Sequence, residues 1–181
     1  MTRPRFFGIL VIILGLAHAW PVAAQQSAPF DHVHMSAPDL ETWAAWYVKH
    51  LGGTREGEYV RFGTVLFAFR QAKDAAGSAG SAVDRVGLAV PDVAKKVQEL
   101  QAAGVKVVAP VQDRPAFGKQ AVIEDPWGVR LALIQDGSAG FHHLWLKAPD
   151  PEGTYKWFLN AFGGERTKFK GTIDGVWKTN K

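Results

Sequence analysis

Imidazole, guanidinium and indole side chains recur at matching places in three short phrases of this 181-residue sequence. The phrases span residues 31–39, 84–92 and 142–150, and each ends in Pro-Asp after Ala or Val. The chemistry-bearing groups at alternate positions are His32, His34, Arg85, His143 and Trp145. Imidazoles bind metals or transfer protons, whereas a guanidinium binds carboxylates and phosphates but donates no lone pair to a metal.

Apolar residues alternate with these groups, as Val33, Met35 and Ala37 do in the first phrase. Alternation with a period of two predicts a strand that packs one face against apolar neighbours. We therefore expect the imidazoles of His32 and His34 to point to the opposite face. The same parity predicts that Arg85 of the second phrase faces away from the helix of its unit, as do His143 and Trp145 of the third. We also expect His32 and Arg85 to line one shared cavity.

Each phrase is followed by a helical pattern. Asp39, Asp92 and Asp150 are suited to cap a helix, and the apolar residues behind them are spaced for one helix face before a glycine. The unit therefore occurs three times, over about 30–70, about 83–136 and 141–181. The third unit ends before its last strands.

Residues 1–24 have the parts of a secretory signal peptide. Arg3 and Arg5 precede a short apolar run, and Val22-Ala23-Ala24 supplies small residues for cleavage after Ala24. The run is short for a membrane span and contains Pro21, so we expect no stable membrane anchor after cleavage. Residues 25–29 would form the mature N-terminal lead of a periplasmic or secreted protein.

Composition excludes several classes of function. The chain has no Cys, which rules out a disulfide scaffold, a zinc-thiolate site and a cysteine nucleophile. The net charge of +4 comes without a Lys/Arg stripe, so we expect no nucleic-acid partner.

The three units resemble the vicinal oxygen chelate superfamily, which includes glyoxalase I, bleomycin-resistance proteins and extradiol dioxygenases. The resemblance rests on the opening phrases and on the turn Glu124-Asp125-Pro126-Trp127-Gly128, and covers residues 30–136 well and 141–175 in part. It implies an α+β fold in which paired βαβββ modules form a curled mixed sheet around a cavity. The domain would span 30–136, followed by an incomplete third module at 141–181.

The resemblance also implies where a metal would bind. Its metal enzymes place ligands on the first and the last strand of each unit. In this sequence the first-strand positions are occupied by His32, Arg85 and His143. The last-strand position of unit two is occupied by Ala132. Of these residues only His32 and His143 could serve as ligands for Fe, Mn, Ni or Zn. The set of metal ligands is therefore incomplete, and the sequence predicts no cofactor firmly. His34 could join His32 on the same face.

The sequence therefore favours a protein that binds a small anionic or aromatic molecule through His32, His34, Arg85 and Trp145. The alternative is a metal-dependent glyoxalase-like lyase or an extradiol dioxygenase-like enzyme, and whether the chain is an enzyme stays open. For the incomplete third unit, three explanations remain: a fragment of a longer protein, a truncated inactive copy, or a half unit completed in a homo-oligomer.

Overall fold

Three strand–helix units are present in the computed structural model, which describes residues 30–115, 117–169 and 173–178. In chain order the elements are β1 His32–Ala37, α1 Leu40–Leu51, β2 Thr54–Glu56, β3 Tyr59–Phe62, β4 Val65–Gln71, β5 Val83–Val90, α2 Val93–Ala102, β6 Lys106–Arg114, β7 Gly118–Glu124, β8 Arg130–Gln135, β9 Gly140–Leu146, α3 Pro151–Phe162, β10 Glu165–Phe169 and β11 Ile173–Lys178. The predicted succession of strand and helix is confirmed in all three units.

Aspartates begin all three helices, as the Pro-Asp phrases predict. Asp39, Asp92 and Asp150 have extended backbones, and each carboxylate accepts a hydrogen bond from an amide three residues later, at 2.8–3.0 Å. This satisfies one of the amides that a helix start leaves without a partner. Gly52 ends α1 in the left-handed region at φ 75°, a conformation that costs glycine little.

The strands form two large sheets and one hairpin. The first sheet has the order β1-β4-β3-β2, and the second has the order β6-β7-β8-β5-β9. In each, the first strand of the unit runs parallel to the last, as β1 does with β4 and β5 with β8. Strands β10 and β11 pair only with each other among the described residues. The predicted α+β class with mixed sheets and paired modules is thereby confirmed.

Units one and two share one hydrophobic core on the helix-bearing sides of their sheets. Trp43 and Tyr47 of α1 and Val97 and Leu100 of α2 belong to the same buried cluster. At its border the hydroxyl of Tyr47 donates to the carboxylate of Asp125 at 2.6 Å, between two side chains that are both buried. The other sides of the two sheets therefore point away from this core.

The third unit extends the second sheet. Strand β9 pairs antiparallel with β5, and α3 packs Tyr155 inward while Trp157 remains 57% exposed. None of the helices in the described ranges is long and apolar enough to cross a bilayer. The predicted signal peptide, residues 1–24, and the lead at 25–29 lie outside the described residues.

Candidate functional site

The predicted alternation of β1 is confirmed. Met35 and Ala37 are buried in the common core, whereas His32 and His34 are exposed on the opposite side of the strand. We call this side the first outward face. It is the surface of the first sheet that is turned away from α1.

The same parity holds in β5. Val86, Leu88 and Val90 lie in the common core, and Arg85 and Gly87 point to the other side. There they meet β9, because Arg85 is paired with Trp145 and Gly87 with His143. We call this side, with Arg85, His143 and Trp145, the second outward face.

That His32 and Arg85 share one hollow stays a prediction. Their strands belong to different sheets, and units one and two pack through the helix-bearing sides of those sheets. Among the described residues, no hydrogen bond, ion pair or ring contact joins His32 or His34 to Arg85 or Trp145. The third unit, which the sequence presented as unfinished, supplies β9 as the neighbour of β5 and brings Trp145 and His143 to Arg85.

Aromatic rings and one guanidinium are in contact on the second outward face. The Arg85 guanidinium lies 5.1 Å from the centroid of the Trp145 ring, a cation–π distance. The ring of His143 lies 5.7 Å from that of Phe117 and 6.1 Å from that of Trp145. His143 covers Gly87, since a Cβ at Gly87 would lie 2.6 Å from the imidazole. The glycine of the second phrase therefore makes room for the histidine of the third.

The imidazole of His143 is neutral at pH 7. Burial, followed by the charges of the neighbouring His142 and Arg85, lowers its pKa to about 4. Its Nδ1 lies 2.7 Å from Nδ1 of His142. Its Nε2 is buried and has no hydrogen-bond partner among the described residues. An unsatisfied buried nitrogen of this kind is costly and is often explained by function.

Sequence reasoning missed a buried carboxylate at the end of this face. The Asp84 side chain is 1% exposed and lies 2.8 Å from the Arg85 guanidinium, 3.6 Å from the Lys147 ammonium and 3.7 Å from Arg130. Burial opposes ionisation, but the Arg85 hydrogen bond and the three positive charges outweigh it, so the Asp84 pKa lies below its usual value. The only sequence signal was its place before Arg85, which the exposed Asp31 shares in unit one.

The first outward face presents two converging imidazoles. Nε2 of His32 lies 3.1 Å from Nε2 of His34, and Nδ1 of His32 lies 2.7 Å from the Asp31 carboxylate. The His32 side chain is 40% exposed and that of Asp31 78%. These contacts are therefore formed in water, where an ion pair contributes little.

Two clefts open elsewhere on the molecule. One of about 170 Å³ lies between the β3–β4 turn and the start of β9, and one of about 230 Å³ lies beside Trp46 and the Asp125 turn. Neither is lined by the residues predicted to bind a ligand.

Comparison with known proteins identifies the family. The model of the Glyoxalase/Bleomycin resistance protein/Dioxygenase superfamily matches residues 30–133, more than half of the chain. The chain belongs to this superfamily, as the opening phrases and the Asp125 turn predicted. No curated protein sequence matches the chain significantly.

Solved structures show the same fold at low sequence identity. The crystal structure of glyoxalase I from Zea mays has a TM-score of 0.62 and 20% identity, over 75% of this chain and 55% of that chain. The fosfomycin resistance protein FosX from Listeria monocytogenes has a TM-score of 0.51 and 11% identity, over 59% of this chain and 92% of that one. The chain thus spans about half the length of the maize protein.

Members of this superfamily often use a divalent metal, so we tested whether the residues present fit one. The described residues contain no group of three or more His, Asp or Glu side chains arranged to hold a metal. On the second outward face His143 is a single neutral donor, and Arg85, Arg130 and Lys147 surround the one carboxylate. This charge balance does not suit a cation. Ala132, at the last-strand position, is buried and offers no donor atom.

Proposed function

We propose that this superfamily member binds a small anionic molecule with an aromatic or apolar part on the second outward face. The observation that carries the proposal is the charge balance around Asp84. Three cationic side chains lie within 2.8–3.7 Å of this one buried carboxylate. The cluster retains a surplus of positive charge beside the Trp145 ring.

Arg85 is the group best placed to hold the anion. Its Nε and Nη2 are held by the Asp84 carboxylate at 2.8 Å, which orients the guanidinium and leaves Nη1 for a further acceptor. A guanidinium fixed in this way loses little entropy when it binds a carboxylate or a phosphonate. Asp84 is therefore a positioning residue.

The rings beside Arg85 suit the apolar part of such a molecule. Trp145 is 40% exposed, and Phe117 lies behind it at 6.3 Å between ring centroids. The neutral imidazole of His143 packs beside Trp145 and adds no charge to this face. His32 and His34, which the sequence grouped with Arg85, take no part at this position.

Aromatic anions test the proposal directly. We expect benzoate and phenylphosphonate to raise the melting temperature of the purified chain, and benzamide, their neutral counterpart, to leave it unchanged. The substitution Arg85→Gln removes the charge and weakens the binding of the anions by about tenfold or more. Its matched control is Arg61→Gln on the first sheet, which should bind as the unaltered chain does.

Two outcomes contradict the proposal. One is equal binding of benzamide and benzoate, and the other is equal loss of binding in Arg85→Gln and Arg61→Gln. Metal-dependent turnover of methylglyoxal–thiol adducts or of catechols by the chain would instead favour the lyase or dioxygenase alternative.

We further propose that the protein is exported, on the support of the charged start, apolar run and Ala-containing end of residues 1–24. Export removes these residues and delivers a chain that begins at Gln25. N-terminal sequencing of the protein from cell fractions tests this. Recovery of the chain with Met1 in the cytoplasm would contradict it.

A further inference from the structure

A small hydrophobic cluster lies on the second outward face, apart from the common core. It consists of Phe117, Ala132 and Ile134, which are 8%, 3% and 1% exposed. Ala132 is paired with Gly87 of β5, so it lies on the same side of the sheet as that glycine. Phe117 therefore covers the side of the second sheet that bears the proposed anion site.

The sheet beneath this cluster is lined by small residues. Ala89 and Ala132 end at a methyl group, and Gly87 has no side chain. Small residues on the face of a sheet leave room that larger groups must fill, because protein interiors are close-packed. His143 covers Gly87, and Phe117 packs on Ala132. The Phe117 ring thus fills a place that the sheet itself leaves open.

The same ring contacts the aromatic groups of the anion site. The centroid of the Phe117 ring lies 5.7 Å from that of His143 and 6.3 Å from that of Trp145. The Arg85 guanidinium lies 5.1 Å from the centroid of the Trp145 ring. An aromatic anion whose carboxylate binds Arg85 therefore brings its ring to the group that Trp145 and Phe117 form.

Phe117 is the member of the cluster that can move at least cost. Strand β6 ends at Arg114 and β7 begins at Gly118, and these two residues are paired, so Phe117 lies in the turn between the strands. Displacing its ring breaks no pairing of β6 with β7. Ala132 and Ile134, by contrast, lie within β8, which is paired on both sides. Turns open more readily than the strands that they connect.

We propose that the Phe117 ring and the ring of an aromatic anion compete for one place on the second outward face. Phe117 is then the residue that determines specificity. An anion gains from its ring only if that ring replaces Phe117, so the preferred ligand carries one ring of about the size of phenyl beside its charge. The inference rests on the proposed function, because it concerns the same anion site.

Calorimetric titration with benzoate and acetate tests the competition. Both ligands carry one carboxylate, but only benzoate has a ring. Phe117→Ala removes the competing ring and leaves an apolar space of the kind that binds benzene in other proteins. The variant should bind benzoate about tenfold more tightly than the unaltered chain, and acetate equally, since no ring has to be displaced first. Benzoate binding that is equal or weaker in Phe117→Ala overturns the proposal.

Two further variants guard against an effect of lost stability. Phe117→Leu keeps the cluster apolar and should bind benzoate several-fold more tightly than the unaltered chain, and an unchanged affinity overturns the proposal even where Phe117→Ala fails to fold. Phe69→Ala is the matched control, because it removes a phenyl ring that packs against the common core. It should lower the melting temperature and leave benzoate affinity unchanged. An equal gain of affinity in Phe69→Ala and Phe117→Ala overturns the proposal.

Fluorine NMR reports the position of the ring directly. With para-fluorophenylalanine in place of Phe117, saturating benzoate should move the fluorine resonance toward its value in the urea-unfolded chain, and acetate should leave it in place. A resonance that benzoate does not move overturns the competition alone. Failure of the proposed function gives a different result, in which neither the unaltered chain nor Phe117→Ala distinguishes benzoate from benzamide. That result overturns both proposals.

Discussion

The two outward faces start from the same phrase and have different surroundings. On the first, Asp31 and His32 remain exposed, at 78% and 40% of their side chains. On the second, the corresponding Asp84 and Arg85 are 1% and 29% exposed. The difference arises because β5 has β9 beside it, whereas β1 has no such neighbour among the described residues.

A neighbouring strand therefore changes the chemistry of side chains at equivalent positions of β1 and β5. An aspartate in water beside a histidine contributes little, but a buried aspartate ringed by cations orients a guanidinium. The imidazole of His143 is likewise made neutral by its burial over Gly87. The second outward face is thus partly buried within one chain, whereas the first remains exposed.

The largest effect is expected from Asp84→Asn. The neutral amide leaves the surrounding cations without their counter-charge, so the free energy of unfolding should fall by about 3 kcal/mol. Urea unfolding followed by circular dichroism measures it. A change below about 1 kcal/mol would show that the cations of the second face are hydrated without Asp84.

Substitution of Gly87 tests whether the second face is as tightly packed as its contacts indicate. In Gly87→Ala the new methyl group meets the His143 ring, so we expect a loss of about 2 kcal/mol and weaker binding of benzoate. Gly137→Ala is the matched control, because nothing lies within 4 Å of its Cβ position. Equal unfolding free energies for the two variants would contradict the close fit of His143 over Gly87.

The pH dependence of stability reports on His143. Its pKa is lowered from 6.5 to about 4. Between these two pH values the unfolded chain therefore binds a proton at His143 that the folded chain does not bind. Stability is therefore full above pH 6.5 and falls as the pH approaches 4, by no more than about 1.4 kcal/mol for each pH unit. His143→Phe should flatten this slope in urea titrations, and a slope that matches the unaltered chain would contradict the burial of a neutral imidazole.

The smallest effect is expected on the first face. Asp31→Asn removes an exposed ion pair with His32, and the free energy of unfolding should change by less than about 1 kcal/mol. The same urea experiment measures it beside Asp84→Asn. If the two asparagine variants lose similar stability, the contrast between the faces is wrong.

Much of the local structure was predictable because it depends on neighbouring residues in the chain. The Pro-Asp phrases set the helix starts, and the alternation of β1 and β5 placed Met35 and Val86 in the core with His32 and Arg85 facing away. The family also followed from these phrases and from the turn at Asp125.

The composition of the site was not predictable in the same way. The alternation of residues predicts which side of a strand a side chain faces, but it does not predict which other strand pairs with that strand. Pairing of β5 with β9 crosses units, and it brought His143 and Trp145 to Arg85 in place of His32. Asp84 was missed because its burial results from contacts with Arg130 and Lys147, far from it in sequence.

The sequence by itself determined the repeated units, their caps and the face that each side chain of β1 and β5 takes, since all of these depend on local backbone geometry. Tertiary structure alone decided that units one and two bury their helices together and that unit three completes the second face. The physical reason is that burial and charge depend on neighbours in space. For this reason two copies of one phrase gave an exposed imidazole pair and a half-buried guanidinium.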